Sequence, residues 1–471
     1  MQSMKAGCEN RPGFLRVAYG GPCMSIPRSS LRSRGSDPRF EGVHLRWRVL
    51  RTARFFKVGV VEPMVYDPAS HEELFYSIVT AIVSPAQDRQ EKLHVRNRTL
   101  ASTPFDLITF PEAFVPADAL IEAIKSLRTT SPTNCFHVGL RPSSAEERHL
   151  FTVEELQQLL QKLDPLADEH EDYSAFRAWL ERQPDDDVFN VGALFAVDAD
   201  GRMRVCLHPK IVRARVEVSP FNEGHMAEAD LLTLVTLIPS DPQLLTVTIQ
   251  PLVCSDVLDI QTDRPEGTPL KAVTVFADCF KSGPPDHIDI ISVATCTPQR
   301  RSISNDESEF GEWPEQFRRA FENAANGGEY PRHHFSAFVL ANFRTLDKKK
   351  GTLGGLSGVF LPVPPGEKAF HRDVIVSAFG RPKNDNGSNN WSRPDDDAQK
   401  NWSCRGFIAG LDPFADPPES PVRMLSFHIH RLPREHSFWD VPPSLTKCAV
   451  QVSHRDDNGL LQLRARIPNH V

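Results

Sequence analysis

From residue 55 onward the chain alternates short apolar runs with polar, proline-bearing stretches. Phe55-Phe56-Lys57-Val58-Gly59-Val60-Val61 is fit for a buried strand, and ordered structure is expected to begin there. Ser70, with Glu73 three residues on, forms a capping box ahead of Leu74, Ile78 and Ile82 and predicts a helix. Phe105 to Phe110 reads as a second strand, stopped by Pro111. Leu120, Ile121, Ile124 and Leu127 fall at helical spacing and predict a helix from Ala117 to Leu127. Cys135 to Leu140 is a third strand. Strand, helix, strand, helix, strand is the order of an α/β layered domain.

The stretch from Glu154 to Glu181 is acidic and amphipathic, and is expected to be a helical insertion on the surface. Val188 to Val197 and Arg202 to Leu207 flank Asp198-Ala199-Asp200-Gly201, a hairpin signal with glycine at the turn. Leu244 to Cys254 is a long, β-branched strand, followed by a polar, proline-rich loop and a further strand from Ile288 to Val293. A helix is expected near Pro314–Ala325, a strand from Phe335 to Leu340, and a loop over 380–403. No internal repeat is evident.

Composition narrows the class. Of 471 residues, 40% are hydrophobic and 24% charged, ordinary globular usage. No apolar run approaches a bilayer-spanning length, so no membrane role is expected. Nine scattered cysteines do not read as a secreted disulfide framework, which points to a reducing, cytoplasmic compartment. The net charge of -7 conceals an asymmetry. Residues 1–54 hold eleven Lys and Arg against three Asp and Glu, leaving -15 for the remainder. The arm is expected to be a disordered extension rather than a nucleic-acid or targeting segment, because basic composition alone fixes no partner geometry.

Three residues with usable chemistry stand at predicted strand ends. Glu112 follows the second strand through one proline, Lys210 follows the hairpin, and Cys254 closes the long strand before Ser255-Asp256. Ligand sites in layered α/β folds lie beyond the carboxyl ends of strands. A carboxylate, an ammonium and a thiol delivered there can form a nucleophilic site, although each alone reads more simply as a loop or core residue. His333-His334 and His428-x-His430 lack further ligands at metal spacing, and no metal or cofactor is expected. Gly351 to Gly358 lacks the Gly-Lys-Ser/Thr ending of a phosphate loop.

Taken in order, these segments resemble the carbon–nitrogen hydrolase (nitrilase) superfamily. Asp106 to Glu112 is similar to that family's apolar strand ending in Pro-Glu, and Asp200-Gly201 ahead of Lys210 to its hairpin before a catalytic lysine. Ser219-Pro220-Phe221-Asn222-Glu223 resembles its second-glutamate segment, and Pro251 to Asp256 its nucleophile elbow. Asp286 to Ile291, Phe338 to Asn342 and Gly355 to Gly358 are similar to later family strands, so the match spans roughly 55–365.

The resemblance implies a four-layer α-β-β-α sandwich and a Glu-Lys-Cys triad of Glu112, Lys210 and Cys254. It further implies that Glu223 orients substrate or water, that Ser255 and Asp256 face the substrate, and that the chain forms homo-oligomers. The implied domain covers 55–440, with insertions near 141–187, 262–285 and 380–403 and a tail at 441–471. The implied activity is hydrolysis of a small amide, rather than a nitrile, through a cysteine thioester. An inactive scaffold and an acyltransferase using the same cysteine remain alternatives. Two departures stand out: Ser255 replaces a commonly aromatic residue, and Glu62 stands where glutamine is typical.

Overall fold

A computed structural model describes residues 41–51, 56–83, 105–128, 135–143, 148–212, 226–244, 246–257, 288–299 and 336–347. It also describes shorter stretches at 352–354, 357–363, 403–408, 422–431, 439–440, 446–450, 452–455 and 461–463. The helix expected near Pro314–Ala325, the loop 380–403 up to residue 402, the whole insertion at 262–285 and Glu223 lie outside them.

Two large sheets carry the architecture. The seven-stranded sheet has the spatial order β1 (Glu41–Val49), β7 (Leu231–Pro239), β8 (Val247–Val253), β9 (Ile290–Ala294), β10 (Ala337–Ala341), β11 (Gly358–Val363) and β12 (Ser403–Ile408). Strands β8, β9 and β10 run parallel, so their carboxyl ends share one edge. The nine-stranded sheet contains, in order, β13 (Val422–Arg431), β2 (Phe56–Pro63), β3 (Leu107–Thr109), β4 (Cys135–Arg141), β5 (Val191–Val197) and β6 (Met203–Pro209). Within it β2, β3 and β4 run parallel, and β6, two antiparallel steps from β4, points the same way.

Alternation decides which face of each strand meets what. Val58, Leu107, Leu194 and Ala196 of the nine-stranded sheet share one buried cluster with Val235, Ile249, Ile290 and Val339 of the seven-stranded sheet. The opposite face, with Ile108, Phe136, Val138, Phe195 and Val205, packs against four helices. These are α1 (Pro68–Val83), α2 (Ala117–Leu127), α3 (Val153–Leu163) and α4 (Glu171–Leu180). None of the described helices is long and apolar enough to cross a membrane, and Cys135, Cys206, Cys254 and Cys296 are in no disulfide.

Several expectations are corrected. A strand precedes Phe55: β1 pairs in parallel with β7, with Trp47 opposite Leu237. The basic arm therefore does not lie wholly outside the fold. Val43, Leu45, Trp47 and Val49 alternate with His44, Arg46 and Arg48, and the fully buried Trp47 secures the strand while Arg46 and Arg48 face outward. Strand β7 itself was not expected; its apolar run, broken only by Thr233 and Thr236, has no period-2 signature because both faces are covered.

The acidic stretch is helical but is not a surface insertion, since Leu156, Leu160, Tyr173, Phe176 and Trp179 enter the core. At the other end, Thr446–Val450 adds antiparallel to β13, so the presumed tail extends the nine-stranded sheet. Helix α1 starts at Pro68, whose fixed φ suits the first helical position. Ser70 sits inside the first turn, and its hydroxyl donates to the Asp67 carbonyl at 2.9 Å rather than capping.

Candidate active site

Glu112 is delivered by the carboxyl end of β3. The chain leaves the strand through Phe110, whose N–H still bonds the His137 carbonyl at 2.8 Å, and Pro111 ends the pairing. Ala113 takes φ 54°, a left-handed turn that swings the segment outward. Neighbouring β4 passes so close that a Cβ on Gly139 would lie 2.3 Å from Glu112 Cα and 2.7 Å from the Pro111 carbonyl oxygen. Only glycine fits there.

The Glu112 carboxylate is buried and met by three donors. Lys210 Nζ reaches Oε1 at 3.0 Å, with both side chains almost wholly shielded from solvent. Asn190 Nδ2 donates to the same Oε1 at 2.6 Å, and the Cys296 N–H donates to Oε2 at 3.0 Å. The Glu112 N–H in turn bonds the Thr295 carbonyl at 3.3 Å, which joins the end of β3 to the end of β9 across the two sheets. A buried charge without a partner is costly, and here each charge has a counter-charge and hydrogen bonds.

Cys254 closes β8 and opens a short 3-10 turn, Cys254–Val257. Its φ of 47° is in the left-handed region, a conformation that costs a non-glycine residue about 1–3 kcal/mol and clusters at functional sites. Asp256 latches this turn to the residues directly after Lys210. Its Oδ1 accepts the N–H groups of Ile211 (2.8 Å) and Val212 (2.7 Å), and its Oδ2 accepts that of Val253 (3.0 Å). The Ser255 hydroxyl donates to the Val212 carbonyl. Burial pushes the Asp256 carboxyl up to about 7, opposed by the Lys210 charge and the three backbone donors. The polar atoms of Ser255 and Asp256 are thus engaged by backbone and position the turn.

The chain is similar to N-terminal amidase. A crystal structure of that protein is 10% identical over 65% of this chain and 90% of its own, with a TM-score of 0.33. Its complex with a Gln-Gly peptide gives 11%, 65%, 89% and 0.34. The C. elegans NitFhit protein is 11% identical over 65% of this chain and 56% of its own, with a TM-score of 0.29. No protein-family model and no curated protein sequence matches the chain.

Beneath the site a buried polar chain ties the same strands together. Thr109 Oγ1 and Ser292 Oγ lie 2.8 Å apart, Ser292 Oγ and His137 Nδ1 2.7 Å, and the Nε2 atoms of His137 and His208 3.2 Å. Thr109 is three residues before Glu112, His208 two before Lys210, and Ser292 four before Cys296. Gly192 makes room for it, since a Cβ there would fall 2.4 Å from His208 Nε2.

Sequence reasoning placed Glu112 and Lys210, which the structure brings together, and Cys254, which it holds on the turn latched behind Lys210. It passed over Asn190 and the Cys296 backbone. Asn190 is a polar break near the start of the apolar run Val188 to Val197, and that break was the available signal. Glu62, at the end of β2, is fully buried. Among the described residues no group of three His, Cys, Asp or Glu side chains could hold a metal ion. His428 and His430 fall on β13, whereas His333 and His334 lie outside the described residues.

Proposed function

We propose that the chain is a carbon–nitrogen hydrolase of the nitrilase superfamily, built as an α-β-β-α sandwich, that cleaves a small amide through a thioester on Cys254. The observation that carries this reading is the buried Glu112–Lys210 pair, held by Asn190 and the Cys296 N–H, with the left-handed Cys254 turn latched by Asp256 to the residues after Lys210.

The chemistry follows from the residue types. A free thiol, with pKa about 8.5, is mostly protonated at neutral pH and needs a base. Glu112 accepts the Cys254 proton as Sγ bonds to the amide carbon, and the carbonyl π pair moves onto oxygen. Lys210, kept charged by Glu112, stabilises that oxyanion together with the backbone N–H that follows Cys254. The oxyanion collapses, the C–N bond breaks, and Glu112 returns the proton to the leaving amine. Water then adds to the thioester with Glu112 taking its proton, and the acid leaves as the thiol is restored. Glu223 orients water or substrate, and the working unit is a homo-oligomer.

Incubation with a panel of amides and nitriles, followed by intact-mass analysis, tests the reading. An acyl adduct on Cys254 and release of amine, both abolished in Cys254→Ala and in Glu112→Gln, are expected. Amide hydrolysis that survives Cys254→Ala overturns it.

A further inference from the structure

We infer that Asn190 is a positioning residue: together with Lys210 it occupies Oε1 of Glu112, so that the Cys254 proton is taken at Oε2. The inference rests on the base role given to Glu112 above.

A carboxylate oxygen has two in-plane acceptor sites. On Oε1 both are filled, by Lys210 Nζ at 3.0 Å and Asn190 Nδ2 at 2.6 Å. On Oε2 one is filled, by the Cys296 N–H at 3.0 Å, which leaves the other to receive a proton. The three donors come from three separate segments, so the plane of the carboxylate is fixed rather than free to rotate.

Asn190 also holds the cation. Its backbone carbonyl accepts the Lys210 N–H at 2.8 Å. One residue therefore sets both members of the ion pair, through its side chain on one and its main chain on the other. It is 1% exposed and stands between the short strand Val188–Phe189 and β5, which limits its own movement.

The residue type is as informative as the position. A neutral amide donates to Oε1 without changing the charge balance of one anion and one cation. An aspartate of the same size would remove the donor and place a second carboxylate against the first, which favours protonation of the pair. A leucine would remove the donor alone.

The rate of Cys254 alkylation by iodoacetamide across pH 4–9 reads this out without a known substrate. Peptide mapping separates the Cys254 adduct from one on the half-buried Cys296. Wild type is expected to show an acid limb in the rate that Glu112→Gln abolishes. A hydrogen bond to a charged group is worth roughly 1.5–3 kcal/mol, so in Asn190→Leu the limb should move up by about one to two pH units. It should move further in Asn190→Asp, which retains the size of asparagine and serves if the leucine variant does not fold.

An acid limb that is sensitive to Glu112→Gln but stays in place in both Asn190 variants overturns the inference and leaves the base assignment standing. A wild-type profile without any limb that depends on Glu112 overturns the base assignment itself. A structural role for Asn190 alone would lower the midpoint of unfolding without moving the limb, and that result also counts against the inference.

Discussion

The buried His137–His208 pair makes the fold's response to acid calculable. Burial, joined for His137 by repulsion from His208, holds His137 well below its ordinary 6.5, and burial holds His208 down to about 3. In the unfolded chain both imidazoles take up protons as pH falls through 6.5, while in the folded chain they stay neutral. A depressed histidine therefore contributes stability that is present above 6.5 and is lost on acidification. Between pH 7.5 and 5.5 the loss is about 1.4 kcal/mol for each ring, about 3 for the pair.

Two buried carboxyls oppose it. Burial raises Asp106 to about 6 and Asp256 to about 7, against ordinary values of 3.8. Each binds a proton in the folded state before the unfolded one does, so its burden on stability is relieved as pH falls. Over the same interval the two together gain about 3 kcal/mol. Other buried groups titrate over the same interval, His71 among them, held down to about 3 by burial, so only a difference measurement isolates the histidine pair. Urea unfolding of wild type and of the His137→Asn/His208→Gln double variant at pH 7.5 and 5.5, followed by tryptophan fluorescence, supplies it. The stability advantage of wild type should shrink by about 3 kcal/mol at the lower pH. A difference that stays constant would refute the assignment of two neutral, buried imidazoles.

Gly139→Ala puts a Cβ 2.3 Å from the Glu112 backbone, and about a 100-fold fall in Cys254-dependent hydrolysis or acylation is expected. Gly201→Ala, whose Cβ meets nothing within 4 Å, is the control and should retain activity despite its φ of 77°. Trp47→Ala should destabilise the fold by about 3–5 kcal/mol in urea unfolding, because the indole is fully buried; a change below about 1 kcal/mol would count against β1 as a core strand. Asp256→Asn sets an amide N–H or a single oxygen against three backbone donors, so a loss of about 1–3 kcal/mol is expected, together with slower alkylation of Cys254.

Much of the local structure is written in local pattern. The spacing of Leu120, Ile124 and Leu127 marks α2, and Asp198 to Gly201 forms the hairpin turn between β5 and β6, with Gly201 at φ 77°. Glu112, Lys210 and Cys254 are legible as chemistry at strand ends for the same reason. A proline or a turn ends an apolar run, and the next polar side chain is carried beyond the sheet.

Where the signal was mixed, it misled. In β1 the arginines mask a clean alternation, and in β7 the absence of alternation is itself the mark of a strand covered on both faces. The acidity of 154–181 describes the exposed side of α3 and α4 and conceals the tryptophan and phenylalanine on the other.

Contacts across long stretches of chain were settled only by the packing of the sheets. Lys210 and Glu112 are 98 positions apart, and the Cys296 N–H is 184 from the carboxylate it holds. No local preference encodes a 3.0 Å contact over such separations. It follows from the register of β3, β4, β5 and β6 and from the second sheet bringing the end of β9 against the end of β3. The sequence by itself therefore determined which side chains stand at strand ends. The tertiary structure decided that these ends meet, because strand pairing and sheet stacking join segments whose separation along the chain carries no information about their distance in space.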